Sequence, residues 1–161
     1  MTVSDEIIPI PIPTPFPVGD VNCYVLRTEG ENILIDCGPD TLEAWQTMQR
    51  TLARHELQVE DLDRVIVTHH HADHAGMAHR FSEKGIPVYG HARLRPYLEQ
   101  DETFLNNGDA FLRRLATSFG VPLAIQEMLP SYQSALKWLG KGQLDFTLKE
   151  GDAITPSGRY R

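Results

Sequence analysis

The chain has 161 residues, of which 41% are hydrophobic and 23% are charged, and its formal net charge at pH 7 is −7. This composition is typical of a soluble globular protein with enough apolar material for one core. The negative charge argues against a nucleic-acid-binding surface, and no apolar run reaches the length of a membrane span. The first residues lack the basic and apolar regions of a signal peptide, so we expect a cytoplasmic protein. Cys23 and Cys37 are too few for a disulfide scaffold and predict reduced, buried thiols.

Prolines dominate the first predicted element. From Pro9 to Pro17 a proline occupies every second position, which favours an edge strand or a polyproline segment over a central strand. A proline-rich ligand for another protein is the alternative. Two strands are predicted next, near residues 21–28 and 32–36, joined by a turn at residues 29–31.

A helix is predicted to begin after Pro39. Asp40 is the expected N-cap, and Glu43 is placed to complete a capping box. The spacing of the apolar residues predicts a buried stripe along this helix. Its members are Leu42, Trp45, Met48 and Leu52.

The densest cluster of titratable side chains follows the β-branched run Val65–Val67. Within residues 69–74 the chain places four of its seven histidines and one aspartate. Neutral imidazoles suit zinc and similar metals, and a carboxylate completes a harder site. The pattern therefore predicts a strand whose end opens into a metal-binding loop. A histidine-rich turn that binds nothing is the alternative.

The spacing in this loop favours two metal ions. If residues 69–71 are extended, His69 and His71 point to one side and His70 points to the other, because side chains alternate along a strand. Asp73 and His74 lie in the turn beyond and are placed to meet at a second point. His70 is then a structural residue rather than a ligand.

The stretch from Thr68 to Gly76 resembles the metal-binding signature of the metallo-β-lactamase fold superfamily. The strands at 22–26 and 32–38, the second of which contains Asp36, also resemble the elements that precede this signature. The resemblance implies an α/β fold, half of an αββα sandwich. It implies that His69 and His71 bind one zinc ion, that Asp73 and His74 bind a second, and that Asp36 holds the loop from behind. Iron or manganese is an alternative metal, and a plain turn-forming role is the alternative for Asp36.

The same resemblance implies ligands that residues 1–161 do not contain. The family pattern has a third histidine for the first metal, a bridging aspartate and a last histidine, and no histidine follows His91 here. We therefore expect one truncated domain that is the N-terminal part of a longer protein, with weak or absent metal and little activity of its own. Exposed apolar surface and an unpaired strand edge predict self-association into a homo-oligomer.

The rest of the chain is predicted to be largely helical. A helix should run from Asp73 or His74 to Gly85, followed by a strand at residues 87–89. Residues 92–140 predict several helices with breaks near residues 106–108, 120–122 and 130, and a strand returns at residues 144–148. Against the family plan, residues 92–140 resemble a helical insertion. Such an insertion is equally compatible with a substrate wall or lid and with a dimer surface.

The function implied is metal-dependent hydrolysis of an ester, thioester, lactone or related bond in a small-molecule substrate, with Asp73 as a catalytic residue. Family members that cleave β-lactams usually have arginine at the position of His74, and flavodi-iron members usually have glutamate at the position of His71. Both departures favour the thioesterase, lactonase and general hydrolase branches. A di-iron redox protein and a non-catalytic binding or assembly module are the alternatives.

Overall fold

One six-stranded mixed sheet organises the chain in the computed structural model, which describes residues 5–28 and 30–161. The strands are β1 (Glu6–Ile12), β2 (Val21–Thr28), β3 (Glu31–Ile35), β4 (Arg64–Val67), β5 (Val88–His91) and β6 (Phe146–Leu148). They lie side by side in the order of the sequence. The pairs β1–β2 and β2–β3 are antiparallel, and the pairs from β3 to β6 are parallel. The predicted turn at 29–31 includes Glu29, which lies outside the described residues.

The proline-rich segment forms the edge strand that its sequence favours. Within the described residues β1 pairs only with β2. Only every second backbone N–H is then needed for the ladder, and prolines at alternate positions remove none of its bonds. Ile8, Ile10 and Ile12 are buried, whereas Pro9 and Pro11 are exposed. The prolines therefore leave the core face of the strand intact.

Parallel pairing brings the ends of β3 and β4 together. Their carboxyl ends point to the same edge of the sheet, so the loops that follow Ile35 and Val67 are neighbours. The backbone N–H of Asp36 continues this contact by donating to the carbonyl of Ile66 at 2.9 Å. The sheet therefore places Asp36 beside the histidine-rich loop, although more than thirty residues separate them in the sequence.

The helices connect the parallel strands. They are α1 (Leu42–Arg54), α2 (Ala72–Ala75), α3 (Ala78–Ser82), α4 (Arg95–Leu98), α5 (Glu102–Ser118), α6 (Leu123–Gln126) and α7 (Tyr132–Ala135). Short 3-10 turns occur at Val59–Asp61, Ala92–Leu94 and Leu136–Trp138. No helix in the described part of the chain is long and apolar enough to cross a membrane.

The start of α1 differs from the prediction. Thr41 is the N-cap, and its hydroxyl accepts from the backbone N–H of Ala44 at 3.1 Å. Asp40 instead accepts a hydrogen bond from Arg80 Nε at 2.8 Å. Leu42, predicted to be buried, is 68% exposed, and Ala44 takes its place in the buried stripe with Met48 and Leu52.

The predicted helix from residue 73 to 85 is two short helices. The break occurs because the backbone near Gly76 bonds to other segments instead of to its own helix. Met77 N–H donates to the carbonyl of Gly38 at 3.1 Å, and the Gly76 carbonyl accepts from Gly140 N–H at 3.0 Å. Neither distant partner could be identified from the local sequence.

The predicted break near residues 106–108 is absent, since α5 is continuous through Gly108. A Cβ at Gly108 would lie 2.8 Å from a ring carbon of Tyr132. Glycine at this position therefore lets the Tyr132 ring lie against the helix, and does not end it. The helices do end near Gly120–Pro122 and Pro130, as predicted.

The main core lies between the sheet and the helices on one of its faces. It unites Ile8, Ile10 and Ile12 of β1 with buried residues of β2 to β5, α1 and α3. Cys23 and Cys37 lie in this core as free thiols, as predicted. A smaller cluster of Leu26, Ile33 and Ile66 lies on the opposite face, where Ile154 and Tyr160 cover part of it.

We expect Gly76→Ala to destabilise the fold by at least about 2 kcal/mol. A Cβ at this position would lie 2.5 Å from three backbone atoms, Ala72 O, Asp40 N and Trp138 O, and backbone cannot rotate away as a side chain does. Urea unfolding would measure the loss. Gly85→Ala is the control, since nothing lies within 4 Å of its Cβ position and only its φ of +79° opposes alanine. That cost is about 1 kcal/mol. Equal losses in the two variants would contradict the steric argument.

Candidate metal centre

The carboxylate of Asp36 is the central acceptor of the site. Asp36 has a φ of +58°, a left-handed conformation that aspartate tolerates better than most residues. It is buried, and its Oδ1 accepts from the backbone N–H of Thr68 at 2.8 Å. The Thr68 hydroxyl lies 2.8 Å from Oδ2 and 3.0 Å from Oδ1. These bonds fix the first residue of the histidine-rich loop to the end of β3.

Two imidazoles are oriented by this carboxylate. His74 Nδ1 lies 2.8 Å from Asp36 Oδ2, and His69 Nδ1 lies 2.9 Å from the Thr68 hydroxyl oxygen. Because a carboxylate only accepts, His74 Nδ1 carries the hydrogen and the Thr68 hydroxyl donates to Asp36. The Thr68 oxygen then accepts from His69 Nδ1. Both histidines therefore have their Nε2 lone pair free for another partner.

Asp36, His69 and His74 each offer a ligand atom, and these atoms lie within 4.8 Å of one another. The rings of His69 and His74 are 4.2 Å apart between centroids. Burial lowers the pKa of His69, and the neighbouring His74 and His71 lower it further. A neutral imidazole is the form that binds metals, so the donor set fits a zinc-type ion.

His71 and Asp73 border this group without belonging to it. The His71 ring centroid lies 4.7 Å from that of His69, and Asp73 Oδ2 lies 3.7 Å from His74 Nε2. The loop is not extended, since β4 ends at Val67 and His71 is the N-cap of α2. The assumption of a strand through residues 69–71 is therefore wrong. The His69 and His71 rings are nevertheless neighbours, because the bend brings them together.

His70 lies outside the donor group and stacks on Tyr97 of α4, which is the structural role predicted for it. The two ring centroids are 3.9 Å apart and the planes are inclined by 20°. Tyr97 also packs against Phe104 and Tyr132. Burial, followed by the neighbouring His71 and His69, lowers the pKa of His70. The stack joins the histidine-rich loop to the helices of residues 92–138, and no local signal in the sequence indicated it.

A cavity of about 570 Å³ lies between this loop and those helices. His70, His71, Ala72 and Asp73 contribute from the loop. Leu105 and Leu112 of α5 contribute from the helices, and Phe16 and Val18 from the segment after β1. Tyr132 also lines it, so the Tyr97–Tyr132 pair forms part of the wall. The sequence indicated neither Phe16 and Val18 nor Tyr132 as part of a site.

Other titratable groups near the core have structural roles. Burial raises the pKa of both cysteine thiols, and Cys37 Sγ donates to the carbonyl of His74 at 3.2 Å. His79 is partly buried, and its Nε2 lies 3.7 Å from Asp40 Oδ2. Exposed His91 caps the following 3-10 turn by accepting from Arg93 N–H at 3.2 Å.

The sequence profile of the metallo-beta-lactamase superfamily matches residues 16–151, a stretch that includes every residue of this site. The chain belongs to the metallo-beta-lactamase superfamily. Among its relatives is the protein named "Probable metallo-hydrolase YqjP" of Bacillus subtilis (strain 168), which is 36% identical over 151 residues, or 94% of this chain and 47% of that protein. The ribonuclease Z of Streptomyces coelicolor is 33% identical over 113 residues, or 66% of this chain and 32% of that enzyme.

Solved structures of the superfamily share the fold. A metallo-beta-lactamase family protein from Thermus thermophilus has a TM-score of 0.75 and 26% identity, over 94% of this chain and 48% of that one. A subclass B3 metallo-beta-lactamase of Bradyrhizobium japonicum has a TM-score of 0.62 at 20% identity, over 96% of this chain and 47% of that one. The predicted α/β fold class is confirmed. The chain spans about half the length of the Bacillus and Thermus proteins.

We expect Asp36→Asn to weaken zinc binding by about 10- to 100-fold, the usual effect of removing the partner that orients a ligand. Asparagine offers a single acceptor oxygen, so it cannot bond both Thr68 and His74 as the carboxylate does. Competition with a chromophoric zinc chelator would measure the affinity. Asp40→Asn is the matched control, because Asp40 lies in the same loop but pairs with Arg80. Unchanged affinity in Asp36→Asn would show that this carboxylate does not support the ligands.

Proposed function

We propose that this chain carries part of the metal centre of a hydrolase that cleaves an ester, thioester, lactone or related bond of a small molecule. One observation carries the proposal. Ligand atoms of Asp36, His69 and His74 converge within 4.8 Å at the carboxyl ends of two parallel strands. This edge of a parallel sheet is where open α/β folds bind their ligands.

The proposed ligands divide as the family resemblance implies. His69 and His71 hold one ion, and Asp73 and His74 hold the other. Asp36 and His69 also belong to one group of potential donors. We assign Asp36 to orientation instead, because its two oxygens already serve Thr68 and His74. Zinc suits this set of imidazoles and carboxylates, and iron and manganese are the alternative metals.

The chain's own residues would prepare the reaction in two ways. Asp36 and Thr68 hold His69 and His74 in the tautomer whose Nε2 is free. Asp73 lies beside His74 and lines the cavity, where its carboxylate can accept a hydrogen bond from the attacking water and orient it. When bound, a zinc-type ion supplies Lewis acidity and hydroxide at neutral pH.

Phosphodiester cleavage is a second candidate, since one relative is named ribonuclease Z. Two features favour carbonyl substrates. The formal net charge of this chain is −7, which opposes a polyanionic substrate. Most of the residues that line the cavity beside the site are apolar. A di-iron redox protein and a non-catalytic module on the same scaffold remain alternatives that the following experiment separates.

The test compares zinc binding and turnover in the same variants. Because the family pattern implies further ligands outside residues 1–161, we expect one weakly bound zinc ion per chain. We also expect slow, zinc-dependent hydrolysis of a panel of aryl esters, thioesters and lactones. His69→Ala and His74→Ala should each abolish turnover, and the variant that removes a ligand of the bound ion should also lose the zinc. His91→Ala is the matched control, since His91 lies outside the donor group and does not line the cavity.

Three results would contradict the proposal. Hydrolysis that survives His74→Ala or zinc removal would place the chemistry elsewhere. An iron–oxo absorbance band without hydrolysis would indicate the redox alternative. Two tight zinc sites, or fast turnover abolished by His71→Ala, would show that these 161 residues hold a full site. Either result would contradict the expected weak zinc binding and slow turnover.

We propose, in addition, that the chain self-associates through exposed apolar residues of α5, α6 and the turns that follow these two helices. Phe119 is 77% exposed and Met128 is 79% exposed, and Phe111, Leu123 and Ile125 are also exposed nearby in the sequence. Patches of this kind mark association surfaces. Light scattering should show a mass above that of one chain, reduced by Phe119→Glu with Met128→Glu. Leu42→Glu, on α1, is the control. A stable monomer at high concentration would contradict the proposal.

A cytoplasmic location is also proposed. Cys23 and Cys37 are free and buried, which suits a reducing compartment. Fractionation of cells that express the natural gene would test it.

A further inference from the structure

The cavity beside the candidate metal centre meets the histidine-rich loop at His71 and Asp73, both members of the proposed ligand set. Most of its other lining residues are apolar. Its walls come from segments far apart in the sequence. They are Phe16 and Val18 after β1, Leu105 and Leu112 of α5, and Pro130, Ala135, Leu136 and Leu139 around α7. A ligand with one reactive polar group and one apolar body matches this arrangement.

The polar side chains in the walls are already occupied by protein partners. Burial and a hydrogen bond with Tyr132 raise the pKa of Tyr97 to about 12. The Ser131 hydroxyl accepts from Ser134 N–H at 3.0 Å. The His70 ring is stacked on Tyr97. The hydroxyl groups of Tyr97 and Ser131 therefore already have hydrogen-bond partners in the protein.

The aromatic rings of the wall are engaged as well. Tyr97 has His70 against one face and Phe104 at 5.0 Å in an edge-on contact. Phe16 packs edge-on against Trp138 at 6.0 Å. These rings therefore already pack against protein neighbours, and leucine side chains supply much of the remaining apolar lining. Leucines favour an aliphatic body, whereas an aromatic ligand would gain from free ring faces.

We propose that this cavity binds the aliphatic acyl chain of the substrate, with the reacting carbonyl at the His71–Asp73 end. The inference rests on the proposed hydrolase function and names its substrate class, an ester or thioester of a medium- or long-chain carboxylic acid. The cavity volume of about 570 Å³ lies within the range of small-molecule sites. The helices of residues 92–138 then select the substrate, while the loop after β4 performs the chemistry.

The test is calorimetric titration of the 161-residue chain with straight-chain carboxylates from butanoate to decanoate, below their micelle concentrations. These are the products of the proposed hydrolysis. A chelator keeps the protein metal-free, so the result depends on the cavity and not on the metal. We expect one site per chain and an affinity that rises up to about fourfold with each added methylene, the effect of burying a CH₂ group.

Two leucines of α5 form a matched pair of variants. Leu112 and Leu115 are each 38% exposed, but only Leu112 lines the cavity. Leu112→Asn should reduce decanoate affinity about tenfold or more, in keeping with the loss of a buried apolar side chain. Leu115→Asn should leave it unchanged. Val18→Asn is a second cavity variant on a separate segment, and Val18 is 70% exposed, so its replacement should not affect folding.

An affinity independent of chain length would overturn the proposal. So would equal losses in Leu112→Asn and Leu115→Asn, which would indicate adsorption to the exposed helix surface. Tighter binding of aryl carboxylates than of alkyl carboxylates would indicate a site for an aromatic group and would also overturn the proposal.

The outcome of this test can be distinguished from that of the hydrolase test. A carboxylate affinity that depends clearly on chain length, without zinc-dependent turnover, supports the acyl site and rejects the hydrolase. Turnover of acetyl esters, with an affinity that does not depend on chain length, supports the hydrolase and rejects the acyl site.

Discussion

A single buried carboxylate holds the candidate site together. Asp36 accepts hydrogen bonds from the Thr68 backbone, the Thr68 hydroxyl and the His74 ring, and through Thr68 it also sets His69. Its removal would leave donors unpaired in a partly buried site, a cost of about 1–3 kcal/mol for each group. Because the carboxylate belongs to the loop after β3 and its partners to the loop after β4, the parallel pairing of these strands is the condition for the site.

Much of this arrangement follows from local sequence. Alternating apolar residues, alternating prolines and β-branched runs predict β1 to β4, because each of these patterns involves only residues that are neighbours in the sequence. The histidine-rich loop is recognisable for the same reason, since its members are consecutive. The role of Asp36 was accessible only through family resemblance. Which histidine nitrogens are free depends on Thr68, and the sequence did not indicate a function for its hydroxyl.

The features that sequence reasoning missed depend on distant partners. The helix is interrupted at Gly76 because the Gly76 carbonyl accepts from Gly140 and the next N–H, that of Met77, donates to Gly38. Gly108 does not interrupt a helix because it accommodates Tyr132. Likewise, the Asp40 side chain pairs with Arg80 forty residues away, which leaves Thr41 to cap α1. In each case a tertiary contact determined which of two local conformations formed.

The topology of the last two strands allows the helical segment to vary during evolution. β5 and β6 are parallel neighbours. The chain must therefore return from the carboxyl end of β5 to the amino end of β6, whatever the length of the connecting segment. The helices of residues 92–138 fill this crossover, and their contact with the histidine-rich loop includes the ring stack of His70 on Tyr97. Exchange of this crossover for one of different length or shape would leave Asp36 and the histidine-rich loop at the ends of β3 and β4. A change confined to this one segment would therefore reshape the wall of the cavity without moving the candidate site.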